Sequence, residues 1–278
     1  MTVFYFSVLI FIFSYFAGFL GAITGFGGGI IIIPILVLFF NINIHYAMGA
    51  SLVAAMATSS TAAYAYMRSQ YTNFRIGLFL EIMAVIGAFF GALLVAFLSK
   101  SFIAILLSLI LFLSAYLTIK RDEEKDAPQT SHPWATALNL DGTYLTREGV
   151  KAYHVARVPY AFFMMGLAGI LSGLLGIGAG TLKVLVMDQA LGLPYKIATA
   201  TSNFMIGITA AVSAGIYFSH GYINPSLTFP VLLGVIIGSF SGAKILKKIH
   251  HRTLRIIFSV LICIIGLQLL YNALSGTL

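Results

Sequence analysis

The chain has 278 residues, of which 60% are hydrophobic and only 9% charged, with a net charge of +8 and an isoelectric point near 9.6. Apolar blocks recurring through almost the whole length make it an all-α polytopic membrane protein whose first partner is the lipid bilayer. The cations form no run long enough to track a phosphate backbone, which excludes nucleic acid as a partner, and the one cysteine, Cys263, excludes a disulfide framework and a thiolate metal site.

The first apolar block, residues 3–25, lacks the basic leader of a signal peptide and is longer than its usual apolar core, so it is expected to be a helix of the mature protein. Next come GFGGG, Gly25 to Gly29, and a short apolar block at 30–40. A helix of that length reaches only about 16 Å, against a hydrocarbon core of about 30 Å. The glycines therefore predict a hairpin tip inside the bilayer, where amides without helical partners survive only against protein, water or a ligand. The alternative is that they let helices pack closely, as in GxxxG contacts. Long blocks follow at 46–67, 76–98 and 101–119. The first of these carries GASLVAAMATSSTAAYAY, whose Ser51, Thr58 and Ser59 can complete an anion's hydrogen-bond shell or bind helices to one another.

Residues 120–157 form a polar linker with six basic and six acidic residues, and its LDGTYL reads as a turn between short strands. After it the first half begins again. A shift of 151 residues places Gly18 on Gly169, Gly25 on Gly176, Gly27 on Gly178, Gly29 on Gly180, Ser51 on Ser202, Thr58 on Thr209, Tyr66 on Tyr217 and Asn73 on Asn224, without a gap. Matches at Asn, Tyr and Ser set this apart from a chance overlap of small residues. The chain thus divides into a first membrane repeat at 1–119, the linker, and a second membrane repeat at 158–278, with about 8 long transmembrane helices and a short broken or re-entrant helix in each half.

Cation placement sets the expected orientation. If each long block and its short partner return the chain to the starting side, 14 of the 16 Lys and Arg fall on one face; without the linker the ratio is 8 against 1. Treating the short block as part of a loop leaves no bias. The positive-inside rule then puts the linker in the cytoplasm and both termini outside, in a cell membrane, inner or plasma. An odd number of segments per half inverts the second repeat relative to the first, the architecture of a secondary transporter.

The amides around Gly28 to Ile31 and Ala179 to Leu182 form the positive ends of two short helices, a natural seat for a small anion near the midplane. Candidate binding residues are Gly27, Gly28, Gly29 and Ser51 in the first half, and Gly178, Ala179, Gly180, Lys183, Thr201, Ser202 and Asn203 in the second. Lys183 is the one lysine inside a hydrophobic segment, and beside a helix N-terminus its charge is doubly unfavourable unless an anion is present. It either serves a bound anion, or pairs with Glu81 or Asp188, or snorkels. Glu81 and Asp188 are the two acidic residues outside the linker and the candidates for proton coupling; Asp188 lies off the helical face of Lys183, and Glu81 is alternatively an interfacial residue. The histidines lack HExxH spacing and no GxxxxGK[ST] occurs, so no metal, no cofactor, no ATP-driven transport and no enzyme chemistry are expected.

GFGGGIIIIP followed by HYAMGASL, and GIGAGTLKV followed by LPYKIATATSNFMIG, resemble the sulfite exporter TauE/SafE family, also called TSUP permeases. The resemblance spans both halves and implies a carrier for sulfite, sulfonates or related small anions. Its glycine motif maps onto Gly25, Gly27, Gly28, Gly29 and Pro34; Ala179, Thr181 and Leu185 depart from it in the second half. The leading expectation is a secondary transporter of a small sulfur-containing oxyanion, with alternating access to a midplane site between two glycine-broken hairpins. An anion channel, an uptake carrier for another small organic anion, and a non-transporting membrane scaffold or sensor are the alternatives.

Overall fold

The computed structural model describes residues 3–24, 27–67, 71–119, 130–146, 149–245 and 251–276. Helix α1 (Val3–Thr24) leads to the short α2 (Gly29–Phe40), which contains Pro34 and closes on Asn41 in the left-handed conformation. Helix α3 (Ile44–Met67) follows, then α4 (Phe74–Leu94), whose Asn73 side chain caps the amide of Ile76 at 3.1 Å, and α5 (Lys100–Ile119). The second half runs through α7 (Val158–Leu175), the short α8 (Gly180–Gln189), α9 (Tyr195–Ser219), α10 (Pro225–Ile245) and α11 (His251–Leu274). Between the halves lie α6 (Pro133–Ala137) and an antiparallel hairpin of β1 (Gly142–Thr146) and β2 (Gly149–Tyr153).

Among the described residues, six helices are long and apolar enough to cross a bilayer: α1, α4, α5, α7, α9 and α10. Eight were expected. Helices α3 and α11 have 24 residues each; α3 is diluted by its Ser, Thr and Gly, and α11 is described in full only from Ser259 to Leu274. The protein is a multi-pass membrane protein built almost wholly of helices.

Small residues set the helix pairs. Gly169 and Gly173 of α7 face the Ala84 and Ala88 carbonyls of α4 so closely that neither has room for a Cβ. Along α10, Gly234, Gly238 and Gly242 meet the backbone of Phe11, Tyr15 and Phe19 on α1 in the same way. The contacts are reciprocal under the 151-residue shift: α1 packs on α10 as α7 packs on α4, α2 on α3 as α8 on α9, and α11 on α2 as α5 on α8, while α3 pairs with α9 and α5 with α11.

The linker corrects one expectation. LDGTYL is not a turn between strands: Gly142 to Leu145 belong to β1 itself, and the chain reverses between Thr146 and Gly149, at positions outside the described residues. Asp141, just before β1, accepts from Ser131 Oγ at 2.7 Å and from the Val155 amide at 2.9 Å, which holds the hairpin against α6. The Asn73 amide group donates to Tyr153 Oη at 2.7 Å and to the Leu140 carbonyl at 3.1 Å, and Arg75 donates to the Asn139 carbonyl at 3.2 Å. The linker is thereby fastened to the start of α4, over a cavity of about 340 Å³. Burial pushes the Tyr153 phenol above its ordinary range, while the Asn73 bond opposes this, so it stays protonated at neutral pH.

Candidate functional site between two glycine tips

The two breaks share a backbone solution. Gly27 has φ of 75° and Gly178 of 71°, a left-handed conformation that glycine adopts without a steric cost. Both tips converge on one spot. A Cβ on Gly27 would stand 3.7 Å from Ile206 Cγ2, and one on Gly178 would stand 2.9 Å from that same atom and 3.5 Å from Ala55 Cβ. Ala55 and Ile206 are themselves 151 residues apart, so the tips meet where α3 and α9 cross. Ala179 adopts φ of 44°, a conformation that costs a residue with a Cβ about 1–2 kcal/mol.

Hydroxyls tie the tips down. Ser51 Oγ lies 3.0 Å from the Gly29 carbonyl and 2.8 Å from the Gly176 carbonyl, so one side chain of α3 bridges the two halves. Its counterpart Ser202 donates to the Gly180 carbonyl at 3.2 Å. The Gly28 amide donates to Thr58 Oγ1 at 3.3 Å, and Ser114 of α5 donates to Thr181 Oγ1 at 3.1 Å. Gly27, Gly28, Gly29, Ser51, Gly178, Ala179, Gly180 and Ser202 are therefore brought together. Thr201 and Asn203 point elsewhere: Thr201 accepts from the Asn73 amide at 3.1 Å, and Asn203 donates back to the Thr199 carbonyl at 3.0 Å while its own carbonyl accepts from Ser59.

Lys183 extends from the second turn of α8 and is fully buried. Its ammonium reaches Glu81 Oε2 at 3.1 Å, the Met205 carbonyl at 3.3 Å and Thr209 Oγ1, so its three hydrogens have three acceptors. Thr209 in turn donates to Glu81 Oε1. The anion that the buried lysine requires is thus present, and it is the chain's own carboxylate. Asp188 lies half-buried in the last turn of α8 and is not part of this cluster. Among the described residues no group of three His, Cys, Asp or Glu side chains is placed to hold a metal ion.

Thr209 was not among the candidates, although the match of Thr58 with Thr209 had marked it. Thr58 donates to the carbonyl four residues earlier and accepts from the Gly28 amide, whereas Thr209 accepts from Lys183 and has its one proton shared between Glu81 Oε1 and the Met205 carbonyl, four residues earlier at 3.0 Å. A hydroxyl two turns from Ser202 along α9, on the face of the second tip, is the signal that points to it.

A family model described as Sulfite exporter TauE/SafE matches residues 10–269. The chain belongs to that family. Several relatives align with this TauE/SafE protein over nearly its full length. The probable membrane transporter protein YdhB of Bacillus subtilis is 29% identical over 95% of this chain and 98% of its own. YunE of the same organism, also named a probable membrane transporter protein, is 28% identical over 96% and 98%. A protein of Arabidopsis thaliana named sulfite exporter TauE/SafE family protein 5 is 33% identical, over 41% of this chain and 26% of its own. No solved structure matches the chain. Membership places this TauE/SafE protein among membrane transporters rather than enzymes.

Proposed function

We propose that this TauE/SafE protein is a secondary carrier of a small sulfur-containing oxyanion such as sulfite or a sulfonate. The observation that carries the reading is the meeting of two glycine tips at Ala55 and Ile206, each opening a short helix whose N-terminus is the positive end of its dipole. With 12 and 10 residues, α2 and α8 are too short to cross alone, and both read as re-entrant. The two halves form an inverted-topology repeat of four long spans and one short helix each, with the linker cytoplasmic and both termini outside, as the cation bias requires. The reciprocal helix contacts support that symmetry. In this reading the tip residues Gly27, Gly28, Gly29, Gly178, Ala179 and Gly180 line the anion site, Ser51 and Ser202 border it, and Lys183 supplies the charge. Glu81 is the titrating group, with Asp188 nearer the linker face. Alternating exposure comes from rocking about the tips.

The test is flux of labelled sulfite, sulfate, sulfoacetate and chloride into liposomes holding the purified protein, with and without a pH gradient. Saturable, gradient-coupled flux is expected. An unsaturable current identifies a channel, and no flux with any of the four anions rejects transport of this class.

A further inference from the structure

The Glu81–Lys183 pair joins α4 of one half to α8 of the other, and nothing in the fold demands it. Under the 151-residue shift Ile32 stands in the place of Lys183 and Leu232 in the place of Glu81. The equivalent positions therefore carry two apolar residues, where Glu81 and Lys183 carry opposite charges. A buried ion pair is on average no more stabilising than a hydrophobic replacement of similar volume, so stability does not account for the charges.

Of the three acceptors around the ammonium, the Met205 carbonyl and the Thr209 hydroxyl are permanent, whereas the carboxylate of Glu81 is one that a proton can silence. We propose that the Glu81 carboxylate is a built-in stand-in for the transported oxyanion. It holds Lys183 in the empty carrier, and a proton arriving on Glu81 releases the ammonium to the incoming anion. This rests on the carrier reading above. One proton passes from water to a Glu81 oxygen, forming the only new covalent bond. Lys183 stays an ammonium throughout, and an anion oxygen replaces Glu81 Oε2 as its acceptor. On the other side the anion leaves, the proton returns to water and the ion pair closes again. Proton and anion therefore travel in the same direction, and each raises the affinity for the other by an equal factor.

The surroundings leave this exchange to Lys183. Helix α7, packed along α4, carries no charged side chain between Val158 and Leu175, and its Tyr160 is exposed. Helix α9 contributes Tyr195 and Lys196 only at its start, and its buried Tyr217 donates to the Gly173 and Leu174 carbonyls at 3.1 Å. On α4 itself Arg75 is engaged with Asn139. From α8, Lys183 reaches the carboxylate, and from α9, Thr209. Thr209 is a positioning residue: its hydroxyl touches both charges and holds the carboxylate while the ammonium changes partner.

The experiment uses the full chain in liposomes clamped at zero voltage, with sulfite, sulfate and sulfoacetate as probes and a pH-sensitive dye inside. In the wild type one proton should accompany each anion, and a gradient of one pH unit should accumulate the anion about tenfold. Glu81→Gln, whose amide resembles the protonated acid, should bind the anion more tightly, carry it without protons and lose the tenfold accumulation. Glu81→Asp should keep the coupling. Saturable anion flux without proton movement in the wild type overturns the exchange and leaves the carrier reading standing. Absence of flux with every probe overturns the carrier reading and the exchange together. The wild-type proton count decides the matter even if Glu81→Gln fails to fold.

Discussion

Replacing Lys183 by Met tests the buried cluster directly. The substitution keeps the length of the side chain and removes the charge, so Glu81, with a side-chain exposure of 4%, is left buried with Thr209 as its remaining partner. Removing one member of a buried pair costs about 3–5 kcal/mol, because the other charge has lost its compensation. The surviving Thr209 bond to Glu81 Oε1 argues for the lower end, about 3 kcal/mol. The symmetry-related positions supply the control. Their residues, Ile32 and Leu232, suggest the double variant Lys183→Ile with Glu81→Leu, which should stand within about 1 kcal/mol of the wild type. Unfolding of the wild type, Lys183→Ile, Glu81→Leu and the double variant in mixed detergent micelles, followed by far-UV circular dichroism, gives the four free energies of the cycle, with an expected coupling of at least about 2 kcal/mol. A single variant that loses less than about 1 kcal/mol, or a double variant no better than the worse single one, refutes the reasoning.

Two further outcomes are expected. After replacement of Cys263 by Ala, a cysteine at Thr130 should be shielded from an impermeant thiol reagent in intact cells and one at Thr277 should react; the opposite labelling pattern reverses the orientation. Ala179→Gly removes a Cβ from a left-handed residue and should stabilise the protein by about 1 kcal/mol, read as a higher melting temperature in detergent; a lower one shows that the tip is not strained at this position.

The helix plan was legible because membrane helices announce themselves by composition, and because the glycines at 27 and 178 mark the places where a helix must stop. Lys183 was legible as an exception, since a lone cation in an apolar segment has to be answered by something. Its partner was not decided, because a separation of 102 residues between Glu81 and Lys183 in sequence becomes 3.1 Å only through the packing of α8 against α9 beside α4. Hydroxyl roles were hidden for a different reason. Ser51 and Ser202 are chemically suited to an anion or to a carbonyl, and the carbonyls exposed by the tips lie nearer. In the linker the Asp-Gly pair favoured a turn, but Asp141 accepts two bonds from residues that close the hairpin's base, which places the reversal further along the chain.

The interlacing of the two halves also bears on how the protein is made. Helix α1 finds its most extensive partner in α10, roughly 200 residues later in the chain, and α4 finds its own in α7 across the linker. At about 5–20 residues per second, the ribosome takes roughly 10–40 s to deliver α10 after α1 has entered the bilayer. Throughout that interval the face of α1 bearing Phe11, Tyr15 and Phe19 is covered by lipid or by a chaperone rather than by protein. Folding of the first half alone therefore cannot be a stable stopping point, and insertion must hold its early helices in register until the late ones arrive.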